Sequence, residues 1–195
     1  RCFMLVSWAS AMTAFVNPFM GYGADAISSA TPLAVLKGTS EGTLPTLVSA
    51  FFGAKAGCIG ETSGLMLLLG FAYLLLRRVV DFRIPVFYIV TFAILTFLFG
   101  KNLTDYSQGY FTAMHIMTGG LFLGAFFMAT DYVTTPTTSL GRIIFGIGCG
   151  LLTFVIRRFG GYPEGVSFSI ILMNVAAPLI ERFTMVKPFG EGKKA

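Results

Sequence analysis

The sequence has 195 residues, 55% of them hydrophobic and only 12% charged, with a mean hydropathy of +0.77. A soluble domain carries about 25% charged residues to wet its surface, so a water-facing globule is excluded and lipid is the solvent for most of this chain. The 14 Lys and Arg against 9 Asp and Glu give a net charge of +5, but these basic residues do not cluster on a polar aromatic face, which argues against a nucleic-acid partner; they sit between apolar runs, as at the cytoplasmic ends of membrane helices.

A spanning helix needs about 20 apolar residues, and uncharged runs mark the predicted spans. The chain opens inside such a run, which reads as a fragment starting at or within a membrane helix; residues 2–15 form a first span that ends at Asn17-Pro18. Residues 17–45 make a loop punctuated by Gly21, Gly23, Asp25, Pro32, Gly38, Gly42 and Pro45, all turn signals. An interrupted pair follows, 42–54 and 62–76, separated by Lys55 to Glu61. At 1.5 Å per residue the first half covers only about 20 Å, so the pair reads as a discontinuous helix, with one long tilted helix around a buried Glu61 as the competing reading.

Arg77, Arg78 and Arg83 mark a short loop before a span over 84–100. A polar turn at 101–109 leads to a span over 111–130, interrupted at Gly119-Gly120, and then to a Thr-rich loop over 131–142. Residues 143–156 are a short Gly-rich span whose flanking Arg142, Arg157 and Arg158 are expected to snorkel outward. Residues 165–180 are the last span, and the tail carries Lys187, Lys193 and Lys194. With Arg77, Arg78 and Arg83 inside, the count puts Arg157 and Arg158 outside, against the positive-inside rule; a re-entrant segment after residue 100 would remove the conflict.

Cys2, Cys58 and Cys149 lie in apolar stretches without CxxC spacing and read as inert buried thiols, although one cysteine can share a metal with other chains. With a single histidine, His115, the chain has no metal site of its own in this reading, and no residue is assigned a catalytic role.

The least ordinary polar string is GADAISSATPL, residues 23–33. Its small residues permit close approach of another molecule to the backbone, and a Thr hydroxyl can be esterified. From the residues alone the favoured reading is a Ser/Thr turn that caps the next helix. Glu61, in GCIGETS (57–63), is an intramembrane carboxylate and a functional candidate by default; Gly60, Thr62 and Ser63 beside it suit a helix N-terminus that orders an anion, or a plain helix cap. Asp131 and Glu164 are acids at the membrane edge that line an ion path or end helices.

The string DAISSATPL resembles the flavinylation site of the RnfD/NqrB family, membrane subunits of ion-translocating electron-transport complexes. Further likenesses are RCFMLVSW with Met12-Thr13, GCIGETS, GGLFLGAFFMATD (119–131) and GYPEGVSFSIILMNVAAPLIE (161–181), in matching order across the whole chain. They correspond to the C-terminal half of a full-length member. The resemblance implies an FMN joined through its phosphate to Thr31, with Asp25, Ser28 and Ala30 as the other motif residues, Ser29 standing where the family has Gly, and Pro32 following; Tyr132 stands where Pro is usual.

It further implies that Gly60, Glu61, Thr62 and Ser63 help to form the flavin environment. Glu61, Asp131 and Glu164 stay ion-pathway candidates, and His115 reads as either a core or a flavin-contacting residue. Members also hold a non-covalent riboflavin. The implied fold is an all-α, polytopic bundle with discontinuous helices and a urea-channel-like inverted repeat: a single membrane domain over 1–195, with an extracytoplasmic attachment loop at 17–45, a transmembrane bundle at 46–182 and a cytoplasmic tail at 183–195.

The implied function is a redox subunit of the Rnf complex in the bacterial inner membrane. It relays electrons between ferredoxin and NAD, coupled to Na⁺ or H⁺ translocation. Its implied partners are the bilayer and the other Rnf subunits, among them a second covalent-FMN subunit and further membrane subunits. The alternatives are an NqrB-type subunit of a Na⁺-pumping NADH:quinone reductase, a flavin-free solute transporter resembling urea channels, and an anchor subunit without a cofactor.

Overall fold

Long uncharged runs leave the backbone one way to satisfy itself in lipid, which is to bond within each segment as a helix. The computed structural model describes residues 7–8, 32–38, 44–55, 57, 60–100, 107–160 and 165–185, and every regular element among them is helical. In chain order these are α1 (Pro32–Leu36), α2 (Leu47–Phe52), α3 (Gly64–Leu76), α4 (Arg83–Phe99), α5 (Gln108–Met117), α6 (Leu121–Leu123, continued as a π-helix over Gly124–Met128), α7 (Ser139–Phe159) and α8 (Val166–Thr184). The expected polytopic helical membrane bundle is what the chain forms. α7 and α8 are long and apolar enough to cross a bilayer, and α5 with α6, bent by 59°, makes a third span.

Hydrogen bonds at the helix ends fix the directions. Gln108 donates to the carbonyls of Phe97 (3.1 Å) and Gly100 (3.3 Å), so α5 starts where α4 ends. The Tyr132 hydroxyl, just past α6, bonds the Val79 carbonyl before α4. The α5–α6 pair therefore runs from the end of α4 back towards its start, as one broken span would. α2 and α3 lie on either side of a second break and run in the same direction: the Tyr110 hydroxyl reaches Pro45 ahead of α2 (2.8 Å), and the end of α3 lies by Val79. The break between Phe52 and Gly64 rules out the single long tilted helix. Ser63 caps α3 by accepting from the Met66 amide (3.4 Å).

The core lies where α4, α7 and α8 meet. Gly146 and Gly150 of α7 pack on α4 so closely that a β-carbon on either would stand within 2.9 Å of a backbone carbonyl, of Ile84 or Tyr88. This is the small-xxx-small contact by which membrane helices gain dispersion energy without a hydrophobic drive. Beneath it the Tyr88 hydroxyl bonds Thr153 (2.6 Å) and Ser169 (3.2 Å), which bond each other at 2.7 Å, so three helices share one buried hydroxyl triangle. Cys149 is fully buried in the same core, as an inert thiol should be. The outward faces, Ile147, Leu151 and Val155 on α7 and Leu172, Val175 and Leu179 on α8, are apolar and exposed, as lipid requires.

A candidate cofactor cavity beside two helix breaks

The DAISSATPL string is described only from Pro32 onward. Asp25, Ser28, Ser29, Ala30 and Thr31 lie outside the described residues, as do Glu164, Cys2, Cys58, the first span and the terminal lysines. Pro32 is described, and it opens α1, where its missing N–H costs nothing. Leu33 and Leu36 bury the inner face of this short helix, and Lys37 donates to the Gly160 carbonyl at the end of α7. Partial burial draws the Lys37 ammonium below the ordinary lysine pKa.

α1 walls a cavity of about 170 Å³ that opens at the end of the bundle where α4 and α7 stop and α5 begins. Phe92, Phe111 and Phe154 give it aromatic walls; Lys37, Arg157 and Arg158 are its charged lining residues, all cationic. Two buried polar atoms on lining residues, Thr96 Oγ1 and His115 Nδ1, have no hydrogen-bond partner among the described residues. Orphaned buried polar groups are costly and call for a partner. The His115 ring stands edge-on to Phe111 at 4.5 Å, which fixes its plane. Aromatic faces, orphaned polar atoms and positive charge suit a planar heteroaromatic group that carries phosphate. The residues present therefore fit a flavin nucleotide.

Arg157 does not snorkel. Its guanidinium is buried, lies over the Phe92 ring at 4.9 Å, and donates to the carbonyls of His115 (2.6 Å), Thr118 (3.2 Å) and Gly119 (3.0 Å). Those are the carbonyls that α5 leaves unpaired where it stops, so the cation both satisfies them and meets the negative end of the helix dipole. Lys55, also buried, donates to the Met117 carbonyl at the same helix end. Arg158 alone remains an exposed cation of the pair. The charge count that conflicts with the positive-inside rule thus loses one of its two offending residues to the interior.

Between α5 and α6 the chain turns through Gly119 and Gly120, with φ of +71° and +66°, a left-handed pair that only glycine adopts freely. Both also lie in tight quarters. A β-carbon on Gly119 would collide with Leu33 of α1, and one on Gly120 would stand 2.7 Å from Glu61 Oε1. Glu61 is buried, close enough to Lys55 to interact electrostatically, and faces the start of α6, where an anion meets the positive end of a helix. Gly60 and Thr62 frame Glu61 in the turn, and Ser63 is spent on capping α3. Asp131 is exposed at the other end of the bundle, where its carboxylate and carbonyl take the hydroxyls of Thr134 (3.3 Å) and Thr135 (2.7 Å).

Sequence reasoning singled out Glu61, which the structure buries, but passed over Lys37, Thr96 and Lys55 and expected Arg157 to snorkel. The available signal was a lone polar or charged residue in an otherwise apolar run, which asks for an internal partner.

Fold and site together define a polytopic membrane protein with two broken helices packed around buried charges. The sequence matches the NQR2, RnfD, RnfE family over residues 1–190, and the chain belongs to that family. It is 46% identical over 195 residues to the D subunit of the Na⁺-translocating ferredoxin:NAD⁺ oxidoreductase complex of Acetobacterium woodii, covering 99% of this chain and 58% of that one. It is 45% identical over 201 residues to the D subunit of the proton-translocating ferredoxin:NAD⁺ oxidoreductase complex of Clostridium ljungdahlii, covering 97% and 59%. A third relative, the D subunit of the ion-translocating oxidoreductase complex of Stutzerimonas stutzeri, is 43% identical over 148 residues, covering 76% and 41%. The chain thus spans about three-fifths of the length of the first two relatives.

Proposed function

We propose that this chain is the electron-carrying part of an RnfD-type subunit of an Rnf complex in the bacterial inner membrane, with FMN esterified to Thr31. On this reading the complex is an ion-translocating ferredoxin:NAD oxidoreductase. The chain relays electrons within it beside other Rnf subunits, and the redox energy moves Na⁺ or H⁺. The names of the relatives support the complex, and the DAISSATPL string supports the flavin. The observation that carries the site is α1: it begins one residue after Thr31 and walls the cavity that Thr96 and His115 also line.

The flavin supplies the redox chemistry, and the protein supplies position and electrostatics. A phosphoester at Thr31 would tether the group, so that no rebinding step intervenes between electrons. Phe92 and Phe111 offer flat apolar contact, Thr96 and His115 offer polar contacts, and the cationic lining favours the phosphate and any added negative charge. A riboflavin site is not assigned to these residues. Glu61, at the double break, is the acid best placed to exchange a cation or proton inside the bundle; Asp131 and Glu164 belong to the ends of the path in this reading.

The test is ultraviolet fluorescence of the protein on a denaturing gel, after expression in a host that holds the flavin transferase. The wild-type band is expected to fluoresce and Thr31→Ala to be dark. A dark wild-type band, with an intact mass lacking FMN, overturns the assignment and leaves a helical membrane subunit.

A further inference from the structure

At the opposite end of the bundle a second cavity, of about 460 Å³, opens among the end of α3, the start of α4, the loop after α6 and the first turn of α7. Its charged walls are Arg78, Asp81 and Arg142. Asp81 Oδ2 is committed to Arg142 at 2.6 Å and lies 3.6 Å from Arg83, whose guanidinium also bonds Ser139 Oγ (2.6 Å). That network fixes Arg142 and uses up the one acid. Arg78 has no hydrogen bond or ion pair from its side chain among the described residues, is exposed, and has a left-handed backbone, with φ of +54°. A non-glycine residue costs roughly 1 kcal/mol or more in that region. The strained turn places a free guanidinium on the cavity wall, with Arg77 beside it. Around it stand exposed apolar side chains, among them Leu76, Val79, Phe82 and Val133.

We infer that this cavity binds the phosphate of an anionic phospholipid, with Arg78 as its principal contact. The helices end here, so the cavity sits at headgroup depth. An interfacial pocket with surplus positive charge and an apolar rim presents a phosphate and its acyl chains with the two environments they need. Planar guanidinium suits phosphate oxygens in pairs, and Arg142, whose Nε and Nη1 are held by Pro136 and Asp81, keeps Nη2 for a further contact. A soluble phosphate offers the same oxygens but no acyl chains for the rim.

The experiment uses the complete complex purified in detergent. Thermal unfolding is followed during titration with phosphatidylglycerol, with phosphatidylcholine and with inorganic phosphate, and retained lipid is identified by native mass spectrometry. Phosphatidylglycerol is expected to raise the unfolding temperature and to remain bound, and phosphatidylcholine to do neither. Arg78→Gly relaxes the backbone and so folds; it is expected to weaken lipid binding about tenfold, the loss of one charge-assisted contact. Arg78→Lys is expected to restore part of it. Equal shifts with phosphatidylcholine, or undiminished binding in Arg78→Gly, overturn the inference. An equal response to inorganic phosphate alone makes this a soluble-anion site and overturns the lipid. Release of a neighbouring protein from the complex by Arg78→Gly, with lipid retention unchanged, makes the surface a protein contact and also overturns it.

Discussion

Arg157 shows how much one side chain decides in a medium without water. Its guanidinium holds three carbonyls at the end of α5, and removing it leaves them facing apolar neighbours. Bonds to charged groups are worth roughly 1.5–3 kcal/mol each, and they are partly shared here because one cation makes all three. Arg157→Met is expected to lower stability by about 3 kcal/mol, read as a fall in the unfolding temperature in detergent. Arg157→Lys is expected to recover less than half, because an ammonium cannot span three acceptors that a planar fork reaches. The sequence places Arg157 beside Arg158 at the end of an apolar run, where both read as snorkelling. The carbonyls that take Arg157 lie about 40 residues earlier, and nothing local in the chain points to them.

Among the elements, α4 and α7 are pressed together by glycines, whereas α5 and α6 are separated by them. A methyl group at Gly150 would meet the Tyr88 carbonyl at 2.8 Å and Thr91 Cβ at 2.9 Å. Gly150→Val is therefore expected to part α4 from α7, strain the hydroxyl triangle of Tyr88, Thr153 and Ser169, and cost about 2–3 kcal/mol. Denaturant unfolding checks this, with Gly109→Val as a control, since a β-carbon at Gly109 has open space around it. The span over 84–100 is legible from its unbroken apolar run, and the interruption at Gly119-Gly120 from the paired glycines. The length of α2 is not. The run over 42–54 suggests a half-span, yet only Leu47–Phe52 is helical, because Pro45 precedes it and the Thr46 cap fixes its start. The π-helical stretch of α6 has no sequence signature, since it arises from packing: Gly124 lies against Val166 of α8, with no room for a β-carbon.

Over the whole molecule, polar contacts concentrate at the two ends and at the paired breaks. The network of Asp81, Arg83 and Arg142 ties the α3–α4 loop to the start of α7. Burial works to raise the Asp81 pKa, but the Arg83 amide and the guanidiniums of Arg142 and Arg83 outweigh it and hold the carboxyl below the ordinary aspartate value. A depressed folded-state pKa means that the stabilisation is present above the unfolded value and is lost as pH falls through the folded one. Wild type is expected to lose roughly 0.2–1 kcal/mol below about pH 4 through this pair, the range of a partly exposed ion pair, and Asp81→Asn to lack that part of the acid dependence. Unfolding temperatures recorded from acid to neutral pH check it.

The DAISSATPL string is legible because its residues are adjacent in the chain. The cavity is not: its walls come from α1, α4, α5 and α7, and no spacing along the chain relates Leu33 to Thr96, His115 and Arg157.

The turn at Gly119 and Gly120 acts as a shared fulcrum. One glycine has Leu33 against it and the other has the Glu61 carboxylate, and neither has slack for a single methyl group. On the proposed function, a flavin that displaced α1 would press on the same turn that the Glu61 carboxylate faces. By thermodynamic reciprocity, a cation held at Glu61 would on that reading alter the hold on the flavin by the same factor.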